Sequence, residues 1–176
     1  MDAATIDAAR RGDRQALARL LSALQDVWYR FCLSLLRDHH RAADATQETA
    51  LRFLSQISGF RGESQLQTWS LGIALNVVRE IKRRRISAEP SDDQLASTPE
   101  RGSGDFEGIE NRESRQLLQT HLAALPDRQR EAVVLRFFEE LSVEETAQAM
   151  NCATGTVKAT VHQALRALRA KMKQLG

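Results

Sequence analysis

The chain has 176 residues, 42% hydrophobic and 27% charged, with a formal net charge of +2; this is apolar enough to build a core and excludes a wholly disordered chain. Its length suits one domain of common size or two small ones, and 9 glycines with 3 prolines are too few for an all-β protein full of tight turns. The charge is uneven: residues 1–85 hold 14 Lys/Arg and 9 Asp/Glu, residues 86–112 hold 2 and 7, and residues 113–176 hold 9 and 7, so basic blocks flank an acidic middle and suggest contact with a polyanion at both ends.

The opening MDAATIDAARRGD lacks the apolar core of a signal peptide. No run reaches the roughly 18 apolar residues of a membrane span, so a soluble cytoplasmic protein is expected. DRQALARLLSALQDVWYRFCLSLLRD then places Leu17, Leu20, Leu21, Leu24, Trp28, Phe31 and Leu35 three and four apart, the stripe of an amphipathic helix. RAADATQETALRFLSQI reads as a second helix with Ala43, Ala50, Leu51 and Leu54 as its apolar side. FRGESQLQ is a loop broken by Gly62 and Ser64, and TWSLGIALNVVREIKRRR is a third long helix. ISAEPSDDQLASTPERGSGDFEGIEN holds two of the three prolines, is acidic and has no apolar period, the composition of a flexible linker. It divides the chain into a module over 1–85, a linker over 86–112 and a module over 113–176.

In the second module SRQLLQTHLAAL is a helix stopped before Pro126, which suits the first turn of the next, PDRQREAVVLRFFEE. Ser142 and Glu145 form a capping box ahead of VEETAQAM, and Thr154 caps a last helix that runs to about Lys173. Two helices joined by NCA make a helix-turn-helix pattern. Ala147 leaves room for their close packing, Asn151 tolerates the positive φ of the turn, and Val157 and Val161 face back onto the first helix. At about 100° per residue, Lys158, His162, Arg166, Arg169 and Lys173 fall in one sector, beside Val157, Val161, Leu165, Leu168 and Met172. A merely solvated face mixes signs, yet from Asn151 onward there is no Asp or Glu. Such a face suits phosphates, with Thr154, Thr156 and Lys158 at the helix start in reach of base edges. Cys32 and Cys152 lie far apart in apolar stretches without metal spacing and read as buried free thiols.

In that order, RAADATQETALRFL, FRGESQLQTWSLGIALNVVREIKRRR and LPDRQREAVVLRFFEELSVEETAQAMNCATGTVKATVHQALRALR resemble bacterial RNA polymerase sigma factors. Their separation is similar to the extracytoplasmic-function (ECF) group, which keeps only two helical domains, regions 2 and 4. The resemblance covers nearly all the chain outside the linker. It implies an all-α fold of two small helical domains joined by a flexible linker, with region 2 over 1–85 and region 4 over 113–176. It implies recruitment of core RNA polymerase to promoter DNA and help in melting it, with no catalysis, no cofactor or metal, and control by an anti-sigma factor.

The same resemblance implies roles for single residues. DATQETALR would grip the β′ clamp helices of core polymerase through Asp44, Gln47, Glu48 and Arg52, of which 44, 48 and 52 share one helical face. Glu48 and Arg52 are equally an ordinary i,i+4 pair. FRGESQLQTW would open the −10 element. Phe60, Arg61, Ser64, Gln65, Gln67 and Trp69 supply the aromatic surface, polar groups and cation that an unstacked base and its backbone need, while Phe60 and Trp69 are also candidates for the core. NVVREIKRRR would be the −10 recognition helix, reading through Asn76, Arg79, Lys82 and Arg83. The groove around AVVLRFF would dock the β flap if Phe137 or Phe138 is exposed. The −35 contacts would be Thr154, Thr156, Lys158, Thr160, His162 and Arg166. Thr160 and Leu75 stand where the family commonly or often has Arg, and Asn151 where its turn usually has Gly; these departures bear on promoter sequence rather than class.

Two other readings stand beside this one. A helix-turn-helix regulator with an N-terminal sensing domain would bind duplex DNA without polymerase. His40, Asp44 and Glu48 at i, i+4 and i+8 could hold a metal, although no ligand cluster on another helix joins them. No nucleophile–base pair or phosphate loop is recognisable.

Overall fold

Three aspartates start the first three helices of the protein, in a computed structural model that describes residues 1–88 and 120–173. Asp2 accepts the Thr5 N–H at 2.8 Å ahead of α1 (Ala3–Arg10), Asp13 the Ala16 N–H at 2.7 Å ahead of α2 (Arg14–Leu36), and Asp38 the Arg41 N–H at 2.9 Å ahead of α3 (His39–Gln56). Each satisfies a donor left open at a helix start, worth about 1 kcal/mol. A 3-10 turn (Ile57–Gly59) and a loop lead to α4 (Leu66–Ala88). Gly62 lies in that loop at φ 75°, a conformation that side chains resist. Two differences from the expected elements stand out. The helix α1 occupies a stretch in which none was expected, and α4 runs three residues into the segment expected to be linker. The remainder of 86–112, and residues 114–119 of the next expected helix, lie outside the described residues.

Every regular element among the described residues is helical, as the expected all-α class requires. The chain divides into two compact units, Met1–Gly102 and Ser103–Gly176. In the first, Leu20, Leu24, Trp28, Phe31 and Leu35 of α2 are buried against Ala42, Ala45 and Phe53 of α3 and Leu71, Leu75 and Val78 of α4, while Leu17 and Leu21 flank that stripe half-buried. Rings tie the three helices together: Trp28 to Phe53 at 5.3 Å, Phe53 to Trp69 at 5.7 Å and Trp69 to Phe60 at 5.1 Å, all tilted. The Trp28 indole N–H, fully buried, donates to Ser70 Oγ at 3.0 Å, and Ser70 donates onward to the Gln67 carbonyl at 2.8 Å. The Trp28 N–H is thus paired, which is what makes burying that tryptophan favourable.

The expected apolar side of α3 is the wrong side. Leu51 is 64% and Leu54 38% exposed, with Ala43 exposed and Ala50 half-buried, and the buried face is Ala42, Ala45, Thr46, Thr49 and Phe53. The threonines fit inside because each hydroxyl donates to the carbonyl four residues back, Thr46 to Ala42 and Thr49 to Ala45, both at 2.7 Å. Each then shows its neighbours a methyl group. Cys32 is buried as expected, but Cys152 is only half-buried.

The second unit begins among the described residues with a helical turn over 120–123, followed by α5 (Asp127–Val133), which passes into a π-helical turn (Val134–Phe138). Pro126 stands one place before α5 rather than within its first turn. Arg130 reaches back to close the preceding segment. Its Nε donates to the Leu122 carbonyl at 2.9 Å, and Nη2 donates to those of Ala123 and Leu125 at 2.6 and 2.9 Å. These are the carbonyls a helix end leaves open. Then come α6 (Val143–Met150) and α7 (Thr154–Lys173). Val133, Ala164 and Leu168 close over Leu122 and Leu125, with Phe138 packed against them.

Replacing Phe53 by Ala should cost the first unit about 3–5 kcal/mol. The check is the urea midpoint followed by tryptophan fluorescence, since both tryptophans, Trp28 and Trp69, touch that ring. A midpoint equal to wild type would contradict the packing described.

Candidate nucleic-acid interface

In the first unit the candidate residues cluster around the ring column. Phe60 and Trp69 are candidates for both core and DNA; Phe60 is 6% exposed and Trp69 half-buried, their rings in tilted contact at 5.1 Å. Around them Arg61 and Gln65 are exposed, and Ser64 and Gln67 half-buried. Arg61 and Glu63 approach to only 3.9 Å with both side chains about four-fifths exposed (82% and 78%), too open a pair to hold either in place. A cleft of about 570 Å³ opens between this loop and α1, with Ile6, Asp7 and Arg10 on one wall and Phe60, Arg61 and Gln65 on the other. The α1 residues were missed in the sequence; Asp2 followed by three helix-tolerant residues was the signal available.

Along α4 the expected −10 residues come out unequally. Asn76 and Arg83 are exposed, while Arg79 and Lys82 are half-buried. Arg84 and Arg85 are exposed as well. Leu75, where relatives often carry Arg, is fully buried, so this departure is a matter of core packing.

On α3, Asp44 and Gln47 are exposed and share the outward face with Leu51 and Leu54. Arg52 turns sideways. Its Nε donates to Glu48 at 2.7 Å, so the ordinary i,i+4 pair does form, and its Nη1 and Nη2 donate to the two carboxylate oxygens of Glu80 on α4 at 2.7 and 2.8 Å. The Arg52 guanidinium holds the Glu80 carboxyl below the usual carboxylate range, with Arg84 and Arg83 adding to the effect, and Glu80 and Glu48 raise Arg52 in turn. Among the described residues no three His, Cys, Asp or Glu side chains stand together as metal ligands would.

In the second unit the helix-turn-helix is built locally. Ser142 accepts the Glu145 N–H at 3.0 Å while the Glu145 carboxylate accepts the Ser142 N–H at 2.8 Å, the expected capping box. Asn151 takes the left-handed conformation at φ 52°. Its N–H donates to Gln148 and the Cys152 N–H to Ala147, at 3.1 and 3.0 Å. This pair of bonds closes a Schellman turn. Thr154 is the first helical residue rather than the cap, because the Val157 N–H donates to the Ala153 carbonyl at 3.2 Å. Val157, Ala164 and Leu168 are buried, and Val161 and Leu165 half-buried. Thr154, Thr156, Lys158, His162 and Arg166 are all exposed, whereas Thr160 is half-buried. Gln163 is exposed between His162 and Arg166. The π turn separates the two phenylalanines: Phe137 is 50% exposed with the Arg136 guanidinium 5.9 Å from its ring centre, and Phe138 packs inward.

The family model described as Sigma-70 region 2 matches residues 20–86, and the one described as Sigma-70, region 4 matches residues 115–168. The ECF RNA polymerase sigma factor EcfG of Rhodopseudomonas palustris (strain TIE-1) is 36% identical over 141 residues, 80% of this chain and 76% of that protein. The chain belongs to the ECF RNA polymerase sigma factors. ECF RNA polymerase sigma factor SigW of Bacillus subtilis (strain 168) is 27% identical over 175 residues, 94% of each chain. Among solved structures, the sigma factor RpoE from Bartonella quintana, determined in complex with the anti-sigma factor NepR, is similar with a TM-score of 0.64 at 26% identity, covering 91% of this chain and 96% of that one. A sigma factor binds core RNA polymerase, directs it to −10 and −35 promoter elements and helps melt the DNA; the family regulates transcription rather than catalysing a reaction. Among the described residues of this sigma factor, no helix is long and apolar enough to cross a membrane.

The lowered Glu80 carboxyl gives a pH test. Its pairing stabilises the fold at and above the ordinary glutamate value of 4.5 and is lost as pH falls below it. Glu80→Gln should therefore flatten the acid-side fall of the thermal midpoint. Parallel curves for wild type and variant would show that Arg52 stabilises the charged carboxyl no better than water does.

Proposed function

We propose that the two units divide the work of promoter recognition, region 2 over residues 1–85 opening and reading the −10 element and region 4 over 113–176 reading the −35 element. The observation that carries this reading is the exposed basic sector of α7, Lys158, His162 and Arg166, on a helix-turn-helix in the same chain as a first unit whose loop before α4 exposes Arg61 and Gln65 beside the Phe60–Trp69 ring pair. Thr154 and Thr156 would reach base edges at the start of α7 and the basic residues would meet phosphates. In the first unit an extruded base would enter beside Phe60 and Trp69, held by Ser64, Gln65 and Gln67, with Arg61 on the backbone. Asn76, Arg79, Lys82 and Arg83 would follow the adjoining duplex. Neither unit need bind tightly alone, because tethering two modules raises the effective concentration of the second.

The outward face of α3, with Asp44, Gln47 and Glu48 around Leu51 and Leu54, would dock on the β′ clamp helices of core polymerase. Exposed leucines rimmed by polar residues are the usual make-up of a docking patch. Phe137, standing out from the π turn, would meet the β flap. A chain that acts on core polymerase would work in the cytoplasm. Control by an anti-sigma factor is supported by the Bartonella quintana relative, determined with NepR bound.

Core polymerase supplied with this chain should start transcripts on promoters carrying matched −10 and −35 elements, and Asp44→Lys should weaken core binding by about tenfold without moving the thermal midpoint. Duplex binding by the chain alone, with no promoter-dependent start, would favour the helix-turn-helix regulator instead. Thr160→Arg should steepen the salt dependence of −35 binding by about one unit of log–log slope. An unchanged slope would place position 160 off the DNA.

A further inference from the structure

Glu80 is an acid in an otherwise basic face. It stands one turn beyond Asn76, next to Arg79, and close enough to Arg83 and Arg84 for both to act on its carboxyl. A bare carboxylate there would repel the phosphates that Arg79, Lys82 and Arg83 are proposed to meet. Arg52 meets it from the neighbouring helix with a two-pronged grip, at 2.7 and 2.8 Å, and both side chains are less than one-third exposed, at 27% and 30%. A fork onto a carboxylate fixes direction as well as charge, and lysine cannot reproduce it. The third nitrogen of the same group, Nε, is held by Glu48 at 2.7 Å. The guanidinium is thus anchored on α3 and spends its planar edge on α4.

We propose that Arg52 is a positioning residue for promoter opening: it cancels the Glu80 charge within the −10 face and holds that carboxylate toward α3. This deepens the reading of α4 as the −10 helix and rests on it. It also gives Arg52 a different task from the polymerase contact that its sequence position implies. Removing one partner of such a pair leaves an uncompensated charge, whereas removing both is nearly neutral. Glu80 alone without Arg52 is therefore the damaging state, and Arg52 without Glu80 is a mild one that adds a cation to the face.

The test is promoter opening by the reconstituted holoenzyme, with core affinity measured in parallel, for wild type, Arg52→Ala, Glu80→Gln and the double variant. Arg52→Ala should lower opening by about tenfold, and adding Glu80→Gln should restore it to within about threefold of wild type. Glu80→Gln alone should open promoters at least as well as wild type, with a steeper salt dependence. A double variant as poor as Arg52→Ala overturns the proposal, because a lost polymerase contact or a damaged fold would not be rescued by a second change on α4. A Glu80→Gln variant as poor as Arg52→Ala overturns it too. If the wild-type holoenzyme opens no promoter, the −10 assignment falls and the proposal with it; a working wild type without rescue sinks the proposal alone.

Discussion

Four rings in contact, Trp28, Phe53, Trp69 and Phe60, run from the middle of α2 to the loop that precedes α4. The loop has little else to hold it. Arg61 and Glu63 make only an open contact, the Gln65 carbonyl accepts the Trp69 N–H at 3.0 Å, and Gly62 gives the loop a bend that costs no side-chain strain. Burying Phe60 and half of Trp69 fixes the two ends of the segment, so the polar residues between them are presented rather than scattered. The hydrogen bonds from Trp28 to Ser70 and from Ser70 to Gln67 extend the same constraint into the first turn of α4. A ring pair contributes on the order of 1 kcal/mol beyond the area it buries. Its larger effect here is geometric, because tilted rings leave few alternative packings. On the proposed −10 reading, a base would stack against the outer edge of the core itself.

The second unit reaches its geometry by another route. It has no tryptophan, and much of its order comes from backbone groups at helix ends. Arg130 gathers three carbonyls before Pro126, the Ser142–Glu145 box opens α6, and the Asn151 turn closes it. Each device costs few residues and fixes a direction of chain entry or exit. Together they set α7 across α6 with its basic sector outward. The π turn at Val134–Phe138 adds one residue to a helical turn, which rotates Phe137 out while Phe138 stays on the core.

The helix-turn-helix was legible residue by residue because its causes are local. A serine with a glutamate three residues on, a small residue at Ala147 and an asparagine able to take positive φ act within a few bonds of the backbone they shape. The details that failed were of one residue in register: Thr154 lies inside α7 and Pro126 outside α5, as helix ends commonly shift. The α3 face failed for a different reason. Leu51 and Leu54 outrank threonine on any hydrophobic scale, yet Thr46 and Thr49 satisfy their hydroxyls on their own helix and leave close-packing methyls. Which side of a helix is buried depends on what meets it, and α2 and α4 lie outside the stretch being read.

Arg52 makes the same point for charge. Its near partner Glu48 was visible at i+4 spacing, but Glu80, 28 residues away, was not. The sequence by itself determined the all-helical class, the separation of two basic blocks and the helix-turn-helix, because periodicity, caps and charge runs are encoded along the chain; the family followed from the resemblance of its ordered motifs to known sigma factors. Tertiary structure alone decided which face of α3 is outward, which phenylalanine is free, where α1 leans and where the Arg52 charge is spent. These are contacts between elements, and their energies belong to pairs of residues that no single stretch contains.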